Sequence, residues 1–157
     1  MKRTEIREFI RKGCEAISPA VEFSFGQLSD WNALPNKTYP HVLFETIKNA
    51  PISTELPHNT IPSDTVPILL RICKIDKLDS LPEVYESLID SCDNMAQKLI
   101  YQYNNLIAGY KTTTIKGIKR EPFIKTMAAD CLTGVTLKFN LDSQDKTDVC
   151  DDDGDNS

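Results

Sequence analysis

From Thr4 to Ile17 the apolar side chains recur at the spacing of one helix face. Ile6, Phe9, Ile10, Gly13, Cys14 and Ile17 stand at i, i+3, i+4, i+7, i+8 and i+11, which predicts an amphipathic helix closed by Pro19. Val21–Phe25 ("VEFSF") then alternates with period two and predicts a short strand. "GQLSDWNALPNKTYP" has the glycine, asparagine, aspartate and proline of a loop, and "HVLFETI" (His41–Ile47) predicts a second strand. Val66–Ile75 is the most apolar stretch. Val66, Ile68, Leu70 and Ile72 share one face, while Leu69, Cys73 and Ile75 make the other partly apolar, so this strand is expected at the centre of a sheet.

The second half of the chain changes period. Ser80 and Glu83 match a capping box with Pro82 in the first turn. Val84, Leu88, Cys92, Met95, Ala96, Leu99, Tyr103 and Leu106 then follow on one face as far as Gly109. Thr112–Thr126 is rich in β-branched residues but is interrupted near Gly117 and Pro122, which predicts an edge strand or a bulge. In the last strand Val135, Leu137, Phe139 and Leu141 face one way and Thr136, Lys138, Asn140 and Asp142 the other. Leu132 is out of phase with that set, so a bulge is expected at Gly134. The order of helix, three strands, long helix and two strands predicts an α+β fold. It would be a single, mostly antiparallel or mixed sheet of about five strands, with the N-terminal helix and the long helix packed on one face.

Two segments stand outside this periodicity. "KNAPISTELPHNTIPSDT" carries Pro51, Pro57 and Pro62, and proline at such intervals opposes both helix and central strand. Ile52, Leu56 and Ile61 give it apolar groups to bury, so it reads as a stiffened arm that packs on a partner. The end of the chain is acidic, with seven aspartates against Lys146 from Asp142 onward. A formal net charge of −5 thus divides into a tail of −6 and a body of +1. One domain is expected over residues 1–142, with 143–157 an acidic, disordered tail.

This charge balance opposes adhesion to nucleic acid, which needs a basic stripe to displace counterions from phosphate. No apolar run is long enough to span a membrane. The charged "MKRTEIREFIRKG" lacks the apolar stretch of a signal peptide, so the chain is expected to stay where it is made. Cys14, Cys73, Cys92, Cys131 and Cys150 are odd in number and contain no Cys-x-x-Cys pair. They predict reduced, mostly buried thiols rather than a disulfide framework or a zinc site.

Chemistry is scarce. "DDDGDN" does not fit a calcium loop: placing Gly154 sixth puts Val149 first and leaves no room for the twelfth-position glutamate. His41 heads a strand, and His58 lies in the arm beside no evident orienting acid. No phosphate-cradling glycine motif occurs. Asp90 and Asp93 fall on the polar face of the long helix. No catalytic residue, cofactor or metal is therefore expected, and the candidate residues are those of contact. Arg3, Arg7 and Arg11 form a basic ridge, either a solvated face or a surface for an acidic neighbour. Trp31 is either a partner contact or a lid folded back on its own core. Ile118 lies in the interrupted strand, whose edge is a candidate for extending a neighbour's sheet. Ile52, Leu56 and Ile61 belong to the arm.

Three features together carry a family resemblance: "FGQLSDWN…YPHVLFE", the order of elements, and the closing "DCLTGVTLKFNL…DVC". They resemble small neck and tail-completion proteins of tailed bacteriophages, related to the tail-terminator fold, as found in phages of Bacteroides-like hosts. The Tyr39–Pro40 pair, a turn at Leu132, Thr133 and Gly134, and a cysteine near the end (Cys150) match that group; the aspartates beyond Cys150 depart from it. The resemblance implies a virion protein assembled in the host cytoplasm. It would form a homo-oligomeric ring, hexamer or dodecamer, between portal and tail, contacting neighbouring neck, portal or tail proteins while DNA only passes through. A different class of reading is a monomeric or dimeric adaptor that grips a protein partner through the proline-rich arm.

Overall fold

Helix α1 (Arg3–Ala16) forms as its spacing predicts, burying Ile6, Phe9, Ile10, Gly13 and Cys14. Strand β1 (Glu22–Gly26) follows, then a short helix α2 (Leu28–Asn32) and strand β2 (His41–Glu45). Strand β3 (Ser63–Ile75), the long helix α3 (Pro82–Ile107), and strands β4 (Thr113–Met127) and β5 (Cys131–Gln144) complete the chain. This computed structural model describes residues 2–45, 63–110, 112–127 and 130–144. The arm with Ile52, Leu56 and Ile61, and the tail from residue 145 with Cys150, lie outside the described residues.

The five strands make one sheet in the order β1-β2-β3-β5-β4. β1 and β2 run parallel, and the other neighbours are antiparallel. The fold is thus α+β with a mixed sheet, as expected. β3 lies at the centre, where Ile68, Leu70 and Ile72 are buried. Those side chains join Val42 and Phe44 of β2 and Val135, Leu137, Phe139 and Leu141 of β5 beneath α1 and α3. Burying each such side chain contributes about 1.5–3 kcal/mol.

The two helices meet where Gly13 of α1 leaves room for the Tyr103 ring. A Cβ at Gly13 would stand 2.1 Å from Tyr103 Cε1. The Tyr103 hydroxyl donates to the Ile10 carbonyl at 3.0 Å, so the buried phenol keeps a partner. Phe9 lies 5.2 Å from the Tyr103 ring and 5.6 Å from Tyr110. The first turns of α1 therefore lie beside the last turns of α3.

Four local readings need correction. Leu132 is out of phase because it faces a second, smaller core on the opposite side of the sheet, with Trp31, Leu43 and Cys73. β5 runs through Leu132, Thr133 and Gly134 without a turn, pairing Gly134 with Cys73. Glycine is required there by proximity: a Cβ would meet the Ile72 carbonyl oxygen at 1.9 Å. The bulges lie instead in β4, between Lys116 and Lys119 and between Phe123 and Thr126. Gly117 (φ +66°) supplies the left-handed conformation in the first, and Lys125 (φ +50°) adopts it in the second. The capping box is not formed; Leu81 is the N-cap of α3 and no side chain caps it. β5 continues through Ser143 and Gln144, two residues past the expected end of the domain.

The loop before β2 also holds α2, which loop composition hid. Its start is fixed by the Gln27 amide donating to Asp30 Oδ2 at 3.1 Å. Leu28 and Trp31, three residues apart, turn toward the second core.

Candidate interaction surfaces

Trp31 takes the second of its two placements. It is 2% exposed and closes the small core as a lid, leaving it no surface for a partner. Its indole Nε1–H donates to His41 Nε2 at 3.0 Å. Indole nitrogen only donates, so Nε2 is an acceptor and the imidazole proton sits on Nδ1. There it faces the Thr38 carbonyl at 3.3 Å and Glu22 Oε1 at 3.0 Å. Ser24 Oγ lies 2.8 Å from Nε2. Both ring nitrogens of this fully buried histidine are engaged, and burial pushes its pKa below the ordinary value against the opposing pull of Glu22.

The thiols show the same effect of burial. Cys14, Cys73 and Cys92 are free and buried, and desolvation pushes each up to about 12, so they stay protonated at neutral pH. Cys131 is free and half-buried. No three potential metal ligands cluster among the described residues. The face of the sheet away from α1 and α3 holds an open depression of about 570 Å³, lined by Pro67 and Leu69 of β3 with Lys138 and Lys119 beside them. No described helix is long and apolar enough to cross a membrane.

β4 is an edge strand, with Ile118 40% and Ile124 49% exposed. It is poorly suited to adding a strand from another chain. Two bulges interrupt it, and Pro122 removes an amide donor just before the second. Lys116, Lys119 and Arg120 place charge along the same strand, and natural sheets use these devices to keep their edges unpaired. Three of its four cations are also engaged within the molecule. Lys116 meets Asp142 at 2.9 Å and Arg120 meets Asp93 at 2.8 Å. Lys125 Nζ donates to the carbonyls of Leu78 and Ser80 at 3.1 and 2.7 Å.

The basic ridge of α1 divides. Arg11 lies between Glu8 and Glu15, both at 2.5 Å. Arg7 is exposed, with its guanidinium carbon 5.2 Å from the centre of the Phe25 ring, itself 41% exposed. Arg3 is exposed and makes no ion pair among the described residues. The outward cations are therefore Arg3 and Arg7, at the start of α1 and beside exposed aromatic surface.

The largest apolar exposure lies elsewhere, at the end of the molecule where β3 passes into α3. Ile75, Leu78, Leu81 and Val84 are between 49% and 69% exposed. They are four of the nine large apolar side chains left exposed among the described residues, gathered in ten residues of chain. Asp79, Glu83 and Glu86 stand exposed among them, against Lys77. Val84, expected on the buried face of α3, is corrected here: the stripe is in phase, but the first buried α3 residue is Cys92. The sequence carried this signal, since Leu81, Val84 and Leu88 extend the stripe backward at spacings of three and four. What it lacked was where the covering body ends. A comparison with models of known protein families matches none of them, and a comparison with curated proteins gives no match.

Proposed function

We propose that this protein is a structural joining subunit, a non-enzymatic virion component. Its copies form a ring in the neck or tail of a tailed phage and link the portal region to the tail around the DNA channel. One observation carries the reading: the apolar stripe of α3 runs on through Leu81 and Val84 beyond the sheet that covers the rest of it. An apolar patch held open on an ordered helix start is characteristic of a protein-contact surface. The α+β architecture and the resemblance in "FGQLSDWN…YPHVLFE" and the closing strand support the same assignment.

At the β4 edge assembly goes through side-chain surfaces in this reading, because that edge is interrupted where strand addition needs continuous backbone donors. Rings require heterologous contacts that close on themselves. The near-neutral body lets DNA pass without adhesion. Negative-stain imaging of the concentrated protein, alone and mixed with portal or tail assemblies, tests the proposal. Closed rings of uniform diameter are expected. Single particles under all of these conditions would overturn it.

A further inference from the structure

The exposed end formed by Leu78, Leu81 and Val84 has a matching surface on the same chain. Its charged neighbours are Asp79, Glu83 and Glu86 against Lys77 and Lys125, a net acidic set, so an identical patch from a second copy would bring a surplus of carboxylates together. That opposes a two-fold pairing of this end with itself. A suitable mate offers cations beside apolar area. Among the basic residues, Lys116, Arg120 and Lys125 of β4 are held by Asp142, Asp93 and backbone carbonyls, and Arg11 by two glutamates; Lys2, Lys12 and Lys119 are exposed but lie over no aromatic ring among the described residues. Arg3 and Arg7, with the Phe25 ring exposed beneath Arg7, remain outward.

The two surfaces stand at opposite ends of the molecule. Leu81 and Val84 open α3, whereas Phe9 of α1 packs on Tyr103 and Tyr110, at and just beyond its last turns. At 1.5 Å per residue the 22 residues from Leu81 to Tyr103 put the Phe9 contact about 33 Å along α3 from the open end. Opposite placement of complementary patches gives a head-to-tail contact, the kind that continues from copy to copy and closes into rings.

Resting on the ring reading above, we infer that the Leu78–Leu81–Val84 end of one copy docks on the Arg3–Arg7–Phe25 corner of the next. Asp79 and Glu83 face the two arginines, and the leucines cover the phenylalanine. The contact is between different faces of identical chains.

Two variants test this, Arg3→Glu/Arg7→Glu and Asp79→Lys/Glu83→Lys, each followed by light scattering beside the wild type. All four positions are exposed, so both variants keep the fold, which circular dichroism checks. Each alone is expected to associate at least roughly tenfold more weakly, because like charges then meet at the contact. An equal mixture of the two is expected to regain association, since every interface then pairs an acidic with a basic surface. Wild-type assembly that both variants reproduce overturns this docking and leaves the ring reading standing. Variants that fail alone and also fail when mixed overturn the pairing of these two surfaces. A wild type that stays monomeric up to its solubility limit overturns the docking, and the ring is then decided by imaging with portal or tail assemblies.

Discussion

At the scale of single residues, the Trp31–His41 pair makes the sharpest prediction. Burial holds the His41 pKa below its ordinary value, while in the unfolded chain the imidazole titrates near about 6.5. Between those two values the unfolded state binds more protons, so stability is complete above about pH 6.5 and declines as pH falls through that window. The geometry gives the same sign, since a proton on Nε2 would face the indole N–H with no acceptor between them. Trp31 is the only tryptophan, so its fluorescence reports on this lid alone. The wild type is expected to lose melting temperature faster than His41→Gln as pH falls from about 7 to about 5, because the amide oxygen accepts the indole hydrogen without titrating. Parallel pH profiles would contradict the assignment. Gly13→Ala is a second test at this scale: a methyl 2.1 Å from the Tyr103 ring should cost about 2–3 kcal/mol, read by denaturant unfolding. The sequence left Trp31 open between lid and contact. Its partner His41 lies ten residues on, and the parallel β1–β2 crossover that joins them has no local signature.

At the scale of elements, β5 shows what alternation reveals and where it misleads. Val135, Leu137, Phe139 and Leu141 line the main core as their period predicted. Leu137→Asp or Phe139→Asp should abolish the cooperative melt, because an unpaired charge buried there costs several kcal/mol. Lys138→Ala, between them on the exposed face and losing only the ion pair with Glu121, should change stability by about 1 kcal/mol or less. If Leu137→Asp melted like the wild type, the assigned buried face would be wrong. The first half of the strand misled the reading because both faces are covered there. Thr133 and Leu132 are both buried, so strict alternation fails although the pairing with β3 is regular. The start of α3 is a related case: its periodicity predicts a helix correctly, yet periodicity alone does not distinguish a stripe covered by its own sheet from one left for another chain.

At the scale of the whole molecule, the predicted class and number of strands match the structure, but the sheet order was not legible. Placing β5 between β3 and β4 depends on long-range pairing that each strand's own residues do not encode. Removing residues 145–157 takes nothing from β5 and should leave the melting temperature unchanged; a large fall would show that the tail contributes to the body. The molecule's proposed work depends on the apolar stripe that α3 carries past its own core, and on that surface meeting other copies. Light scattering after size-exclusion chromatography, run over a wide range of protein concentration, measures this most directly. The account predicts a mass that rises with concentration to a fixed multiple of the 17.7 kDa chain and falls when Leu81 and Val84 are replaced by serine. A mass of one chain at every concentration, for wild type and variant alike, would contradict it.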